Sequence, residues 1–294
     1  MRLSPLVLLG LLALLLWSRP VHAASSYDNC AGFITSVPAV ISTPGTWCLK
    51  QDLTTAITGG SAIMISADNV ALDCNDFRID GSAGGSATFA LGISGSQRSN
   101  VRIRHCNVRG FAQGVQMDSA GTGGRNVVED SHFDGNIRIG VEMEGDGSVV
   151  RRNVILNTGS LSVVGTPFGI HIANTGTVDV INNTIDGVGS QCGTGQCGIG
   201  IVVETNSTTG ANIVGNRIGG LLSTDSGADG IRILTPGRFD IRDNEITGGA
   251  GGSTGVNCLA STGAAMVRVH HNVIDGFATP FYLCADAGEN DTSP

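Results

Sequence analysis

Acidic, basic and amide side chains recur at two positions of one short motif, which reads Gly-apolar-x-apolar. The motif occurs as GVQM, GVEM, GIHI, GIVV, GIRI and GVNC between residues 114 and 258. Such alternation is typical of a β-strand, so x and the residue two places later lie on one face, opposite the apolar residues. In the middle of the chain the polar residues at these two positions are Gln116, Asp118, Glu142, Glu144, His171, Glu204 and Arg232.

These side chains suit proton abstraction from a uronic polysaccharide, the chemistry of a lyase or an epimerase. His171 is the best base, because the one lysine, Lys50, is far away in the sequence and arginine rarely loses its proton. We predict that His171, Glu142 and Arg232 are catalytic, with Arg232 holding the substrate carboxylate. The residues predicted to bind the polymer are Gln116, Asp118, Glu144 and Glu204.

The same carboxylates allow other functions. A glycoside hydrolase would use a carboxylate pair, with Glu142 or Glu144 as the acid and Asp118 or Glu204 as the base. Asp118, Glu142 and Glu144 could also hold Ca²⁺ through oxygen ligands, and the sequence indicates no other cofactor. The alternative to an enzyme is a non-catalytic structural, adhesion or surface-binding scaffold, in which these charges form a solvated face.

A repeat must position these residues. The stretch VDVINNTIDG (178–187) resembles SVVRRNVILN, ANIVGNRIGG, FDIRDNEITG and VRVHHNVIDG, and the spacing of the repeats is 22–33 residues. Internal repeats of this length indicate a solenoid. We expect the recurring asparagine to face inward and to bond turn backbones and its own copies, since unpaired buried amides are costly. These structural residues are Asn75, Asn153, Asn183, Asn216, Asn244 and Asn272, with Cys106 and Ser131 at the same position of two coils.

Each repeat accommodates about three short strands and no helix. The sequence therefore predicts an all-β chain, a right-handed parallel β-helix of about eight coils with an N-terminal cap. A leucine-rich repeat is excluded because the second half of each coil is rich in Gly and β-branched residues.

The segments ISADNVALDCNDFRIDG (65–81) and NVRIRHCNVRGF (100–111), together with the repeated coils, resemble the pectin-lyase-like β-helix superfamily. The resemblance covers roughly residues 55–284 and implies the fold. That superfamily contains lyases, hydrolases, epimerases and non-enzymes. The catalytic motifs of pectate lyases and polygalacturonases do not occur here, so the resemblance implies no catalytic residue.

The chain is expected to divide into a signal peptide (1–23), an N-terminal cap (24–55), the β-helix (56–284) and a polar tail (285–294). The apolar run LVLLGLLALLLW behind Arg2 predicts secretion to an extracellular or periplasmic location. Removing residues 1–23 leaves 15 basic and 25 acidic residues, a net charge of −10. We expect a monomer without a membrane span, whose partner is a polysaccharide or another cell-surface polymer rather than nucleic acid.

All eight cysteines follow the predicted signal peptide, which indicates disulfides in an oxidising compartment. The predicted pairs are Cys30–Cys48, Cys192–Cys197 and Cys258–Cys284. The pairing of Cys74 and Cys106 stays open at this stage. His270 and His271, beside the last asparagine of the series, are expected to be structural.

Overall fold

The computed structural model describes residue 27 and residues 29–119, 122–159, 166–174, 177–189, 198–205, 210–222, 227–248, 254–259 and 267–293. Within these residues the chain winds through three parallel sheets, in the order sheet 2, sheet 1, sheet 3 within each coil. Every strand pairs in parallel with the strand one coil away, as between Val150 and Val180. The prediction of a right-handed parallel β-helix is confirmed.

Sheet 1 has eleven strands. They are β1 (Gly32–Ile34), β3 (Gly45–Leu49), β6 (Val70–Asp73), β9 (Arg102–Arg104), β12 (Val127–Glu129), β15 (Ser148–Arg151), β18 (Val178–Ile181), β21 (Ala211–Val214), β24 (Phe239–Arg242), β27 (Val267–His270) and β30 (Ala285–Asp286).

Sheet 2 has ten strands and contains the Gly-apolar-x-apolar motifs. They are β2 (Ala39–Ile41), β5 (Ser61–Ile65), β8 (Leu91–Ser96), β11 (Gln113–Asp118), β14 (Ile139–Met143), β17 (Phe168–Asn174), β20 (Ile199–Thr205), β23 (Asp229–Ile233), β26 (Thr254–Asn257) and β29 (Thr279–Tyr282).

Sheet 3 has ten shorter strands that follow the recurring asparagine. They are β4 (Leu53–Thr54), β7 (Arg78–Asp80), β10 (Asn107–Arg109), β13 (His132–Asp134), β16 (Val154–Leu156), β19 (Thr184–Asp186), β22 (Arg217–Gly219), β25 (Glu245–Thr247), β28 (Val273–Asp275) and β31 (Asp291–Ser293). A short 3₁₀ helix, Ser82–Gly84, follows β7.

Apolar side chains from all three sheets fill the tube. In one coil these are Ile170 from sheet 2, Val180 from sheet 1 and Ile185 from sheet 3, each at most 1% exposed. Alternation along each strand puts one side chain in the core and the next on the outer face, so the register of the core also sets the register of the outer columns.

The recurring asparagines form a continuous hydrogen-bonded stack at the bend between sheets 1 and 3. The Oδ1 of Asn183 accepts the backbone N–H of Asn153 at 3.0 Å and its side-chain amide at 3.1 Å. The Nδ2 of Asn183 donates to the carbonyl of Val150 at 2.9 Å. The pattern continues coil by coil to Asn290, which the sequence analysis did not include. We name Asn153, Asn183, Asn216, Asn244, Asn272 and Asn290 the asparagine stack.

Asn75 does not belong to this stack. It has a φ of 48° and its amide donates to the carbonyl of Leu49, so it still ties two coils together. The turn that contains it is two residues longer than the next one, because Asp73 pairs with Arg104 while Ile79 pairs with Val108. The alignment of Asn75 with the other asparagines is wrong for that reason.

Three disulfides lie within the described residues. The predictions of Cys30–Cys48 and Cys258–Cys284 are confirmed. Cys74 and Cys106 also pair, with their Cα atoms 4.7 Å apart. The backbone N–H of Cys106 donates to the Ser131 hydroxyl, so this disulfide ends the polar column that leads into the asparagine stack. The predicted Cys192–Cys197 pair lies outside the described residues, as does the predicted signal peptide.

The first end of the tube is built from the segment expected to be a cap, and the last end from the tail together with the final strand of sheet 2. Strands β1, β2 and β4 form the first edge of the three sheets, and β29, β30 and β31 form the last. The residues of β30 and β31 are exposed, yet these strands pair with β27 and β28. Among the described residues, no helix has the length and apolar character needed to cross a membrane.

Candidate functional site

The outer column of sheet 2 has the register that the motif predicts. Neighbouring strands pair Gln116 with Glu142, Glu142 with His171, His171 with Val202 and Val202 with Arg232. Residues in adjacent strands lie about 4.8 Å apart. Each coil therefore adds one different side chain to a single line on the outside of the tube.

This line is buried rather than solvated in its middle coils. Glu142 is 8% exposed, Arg232 is 6% exposed and Val202 is fully buried. The expectation of a solvated face is therefore wrong for these coils. Buried polar groups require partners, so the contacts among these side chains determine their chemistry.

Glu142 and His171 form a carboxylate–imidazole pair. The Oε2 of Glu142 lies 3.2 Å from Nδ1 of His171. The other carboxylate oxygen accepts a hydrogen bond from Nε2 of Gln116 at 2.9 Å. The amide of Gln113 lies 3.4 Å from Oε2 and completes the surroundings of the carboxylate.

Glu142 is held as a carboxylate by these contacts. Burial by itself raises the pKa of Glu142, because it disfavours the charged form. The hydrogen bonds from His171 and Gln116, with the charges of His171 and Arg138, outweigh burial and place the pKa of Glu142 below its ordinary value. Glu142 is therefore an acceptor that orients the imidazole and not a proton donor at neutral pH.

The second nitrogen of His171 has no hydrogen-bond partner within the described part of the chain. Its Nε2 is buried, and the closest carboxylate oxygen belongs to Glu204, at 3.7 Å. The Phe168 ring packs against the imidazole, with 5.0 Å between the ring centroids. In the neutral tautomer that donates Nδ1–H to Glu142, Nε2 has the lone pair that a general base requires.

Arg232 is not part of this pair. Val202 lies between His171 and Arg232 in the column, and the guanidinium of Arg232 contacts the carboxylate of Asp229. Asn257 also donates to Asp229, at 2.9 Å. Arg232 is thus two strands away from the imidazole, in a second polar cluster on the same face.

The predicted calcium ligands do not converge. Glu144 is a buried residue, 2% exposed. Its carboxylate accepts a hydrogen bond from the backbone N–H of Ser119 at 2.9 Å, and this bond fixes the chain after β11. Glu142 is directed toward His171 and Gln116, and Asp118 lies near the Ser96 hydroxyl. Among the described residues, no three His, Cys, Asp or Glu side chains are placed to hold a metal ion. The expected calcium site is not formed there.

A shallow groove runs along sheet 2 toward the Glu142–His171 pair and ends at β11, one strand before Glu142. It has a volume of about 220 Å³ and ends at Gln116 and Asp118. Gln116 thus both lines the groove and bonds to Glu142. We name this feature the sheet 2 groove; its other polar lining residues are Ser66, Ser94, Ser96 and Arg98.

No protein-family model matches the chain, and no curated protein matches it in sequence. Among solved structures it is similar to a mutant tailspike protein of E. coli bacteriophage HK620 in complex with a pentasaccharide, with a TM-score of 0.46 and 11% identity over 89% of this chain and 52% of that one. It is also similar to DFA-IIIase from Arthrobacter chlorophenolicus A6 in complex with GF2, with a TM-score of 0.37 and 13% identity over 83% and 73% of the two chains. For the Agl-KA catalytic domain the TM-score is 0.41, with 12% identity over 88% and 62%. The chain spans about half the length of the tailspike protein.

Sequence reasoning missed a second column on the same face, one residue before the recurring Gly. It contains Gln113, Phe168 and Asp229, which contact Glu142, His171 and Arg232 respectively. Strict alternation puts these positions on the inner face. The Gly itself faces the core, because a Cβ at Gly169 would lie 2.6 Å from the Ile185 side chain, so the residue before the Gly turns outward. Reading the residue before each Gly as an outer position would have found them.

Proposed function

We propose that this protein is a secreted β-helix protein that binds a uronic polysaccharide along the outer face of sheet 2 and processes it as a lyase or an epimerase. The observation that carries the proposal is the Glu142–His171 pair, in which Nε2 of His171 is buried without a hydrogen-bond partner among the described residues. The sheet 2 groove ends at Gln116, which bonds to Glu142. An oriented imidazole with an available nitrogen is the usual arrangement of a general base.

In this mechanism His171 removes the proton α to the substrate carboxylate. In a lyase the electron pair forms a carbon–carbon double bond, the glycosidic C–O bond at the β carbon breaks, and the leaving oxygen takes up a proton from the imidazolium. In an epimerase a water molecule gives a proton to the same carbon on the opposite face, and the imidazolium returns its own proton to the resulting hydroxide. Glu142 stabilises the imidazolium in both cases.

The sheet 2 groove supports a saccharide substrate through its hydroxyl, amide and carboxylate groups, which match sugar hydroxyls. Arg98 also lines the groove, but its Nε donates to the carbonyl of Ser96 and its Nη1 to that of Ser66, so it supports the wall of the groove. Arg232 lies about 10 Å beyond His171 on the other side. We therefore assign Arg232 to a neighbouring sugar unit rather than to the reacting one.

Hydrolysis by the predicted carboxylate pairs has less support. Glu142 is ionised and bonded on both oxygens, and Glu144 is bonded to Ser119. Neither is a free carboxylic acid facing the sheet 2 groove. The three disulfides support the proposal of a secreted location, because disulfides persist in oxidising compartments.

A second candidate function is binding without cleavage. It is favoured by the separation of His171 from Arg232, because proton abstraction needs a cation close to the carboxylate of the reacting sugar. On this reading the outer column of sheet 2 holds the polymer and His171 contributes a hydrogen bond.

A panel of uronic and neutral polysaccharides distinguishes these functions. Each polymer is incubated with the protein and scored for ultraviolet absorbance of unsaturated ends, for change in uronate composition and for retention of the protein on the polymer. A lyase gives new absorbance, an epimerase gives altered composition, and a binding protein gives retention alone. If no uronic polymer gave any of the three signals, the proposal would be contradicted.

The variant His171→Ala tests the base directly. It should abolish absorbance or epimerisation while the protein remains folded by circular dichroism. The matched control is His132→Ala, which removes a half-buried histidine from the outer face of sheet 3. Unchanged turnover in His171→Ala, or an equal loss in both variants, would remove His171 from the mechanism.

A further inference from the structure

A second and larger groove lies on the outer face of sheet 1, away from His171. Its volume is about 1100 Å³, against 220 Å³ for the sheet 2 groove. We name it the sheet 1 groove. Its charged and amide lining comes from strands β18 to β27 and includes Asp179, Asn212, Asp240, Arg242, Arg268 and His270.

The acidic residues of the sheet 1 groove already have partners. Asp179 accepts two hydrogen bonds from Asn212, from its backbone N–H at 3.0 Å and from its Nδ2 at 2.8 Å. Asp240 lies 2.8 Å from Nε2 of His270 and accepts a bond from Nε of Arg242 at 3.0 Å. Burial raises the pKa of Asp240, but the contacts with His270 and Arg242 outweigh it and lower that pKa overall.

Two arginines in the sheet 1 groove are left without such partners. Arg238 and Arg268 line it, are exposed, and form no ion pair or side-chain hydrogen bond with any residue that the structure describes. Arg268 pairs in register with Asp240, so its side chain stands one strand beyond that carboxylate. The chain as a whole has 17 basic and 25 acidic residues, so this groove has more exposed positive charge than the overall composition would suggest.

This lining selects a class of ligand. Guanidinium groups pair with carboxylate or sulfate through two parallel hydrogen bonds. Asn212 lies two strands before Arg268 in the same column and Asp179 three strands before it, and both have oxygens that can accept bonds from hydroxyl groups. A ligand with separated negative charges and many hydroxyls fits both sets, whereas nucleic acid, charged at every residue, would meet Asp179 and Asp240. A groove of this volume also suits several linked units rather than one small anion.

We propose that the sheet 1 groove binds an acidic oligosaccharide, with its anionic groups on Arg238 and Arg268 and its hydroxyl groups on Asp179 and Asn212. This second site does not rest on the activity proposed for His171. It gives the protein two saccharide-binding faces on adjacent sheets of one rigid tube.

The test is titration calorimetry of the folded protein with four probes of equal length. These are an oligouronate, a sulfated oligosaccharide, a neutral oligosaccharide and single-stranded DNA. The double variant Arg238→Gln/Arg268→Gln should weaken binding of an acidic saccharide at this site about tenfold or more, because both charge-assisted contacts are lost. The uronate and sulfate arms identify which anionic group is preferred. Turnover at His171, where present, should be unchanged in the double variant.

The control is Arg109→Gln/Arg217→Gln, which removes the same charge from the outer face of sheet 3. This variant should keep the wild-type affinity. The proposal is overturned by an equal loss in both double variants, by unchanged affinity in Arg238→Gln/Arg268→Gln, by equally tight binding of the neutral probe, or by tightest binding of DNA. If no polymer were turned over, the function proposed for His171 would be contradicted. The sheet 1 groove would still be tested by whether binding depends on Arg238 and Arg268.

Discussion

The asparagine stack and the outer column of sheet 2 follow the same strand register and use it in opposite ways. The stack repeats one residue in six coils, and each copy makes the same bonds to the next. The outer column changes at nearly every step, from Gln116 to Glu142, His171, Val202 and Arg232. In this fold a polar residue that repeats supports the tube, and polar residues that differ from coil to coil mark where a site can form.

The two regions also satisfy their polar groups differently. In the stack, Asn183 uses both its amide hydrogens and its carbonyl oxygen within the protein. In the outer column, Nε2 of His171 and Oε1 of Gln113 are buried without a hydrogen-bond partner among the described residues. A buried polar atom without a partner is costly in a purely structural column and is expected where a ligand completes the set.

The largest effect is expected at the Cys74–Cys106 disulfide, which ends the polar column that leads into the asparagine stack. This disulfide joins residues 32 apart in sequence. Replacing both cysteines by alanine should lower the free energy of unfolding by about 4 kcal/mol, because the unfolded chain regains the entropy of that loop. Chemical denaturation followed by circular dichroism measures the change.

A second variant of this pair tests whether position 106 is part of the stack. In Cys74→Ala/Cys106→Asn an amide replaces the sulfur beside Ser131 and should recover part of the lost stability by bonding to the neighbouring coils. Equal stability of this variant and the double alanine variant would show that the stack ends at Ser131.

The next effect is expected inside the stack itself. Asn183→Ala leaves the N–H of Asn153 and the carbonyl of Val150 buried without these bonds. The loss should be about 3 kcal/mol in the free energy of unfolding, at roughly 1–3 kcal/mol for each unsatisfied group. Thermal and chemical denaturation both report it.

The control for Asn183→Ala is its neighbour, Asn182→Gly. Asn182 is exposed and has a φ of 54°, which glycine accepts without strain. This control should change stability far less than Asn183→Ala. If both variants were equally destabilised, the cost would belong to the turn and not to the stack.

The repeat made most of the fold predictable from sequence. The spacing of the asparagines and the alternation in VDVINNTIDG set which side chains face inward, and that register also placed Glu142 next to His171. The asparagine at 75 could not be placed in the same way, because the turn around it has two additional residues and no local sequence signal marks them.

The burial of the outer column was not predictable from the same pattern. Alternation states which face a side chain is on, but not whether other parts of the chain cover that face. Arg232 was therefore expected to meet a substrate, whereas it contacts Asp229, a residue at an offset position before the Gly. The calcium prediction failed for a related reason: Glu144 shares a face with Asp118, but its carboxylate bonds to the backbone of Ser119.

A smaller effect is expected from Glu142→Gln, measured on whichever polymer the panel identifies as a substrate. Glutamine keeps the size of the side chain but cannot hold Nδ1–H of His171 with a negative charge. We expect kcat to fall about 100-fold, with little change in KM, because the base is misoriented while binding is retained. A fall in binding without a fall in kcat would indicate that Glu142 supports the groove and not the base.

The smallest effect, and the sharpest contrast between the two regions, concerns pH. The folded protein lowers the pKa of Glu142 below the 4.5 of an unperturbed glutamate. A depressed carboxyl pKa contributes stability that is present above about pH 4.5 and is lost as the pH falls toward the folded pKa. Between neutral pH and pH 3, the free energy of unfolding should therefore fall less steeply in Glu142→Gln than in the wild type.

The asparagine stack contains no titratable group, which provides the comparison. Asn183→Ala should lower the free energy of unfolding by a similar amount at every pH and leave its slope unchanged. Denaturation of the wild type, Glu142→Gln and Asn183→Ala across this range separates the two contributions. An unchanged slope in Glu142→Gln would mean that the Glu142–His171 contact gives no net stabilisation to the carboxylate, and a changed slope in Asn183→Ala would mean that the stack and the outer column are coupled through the tube.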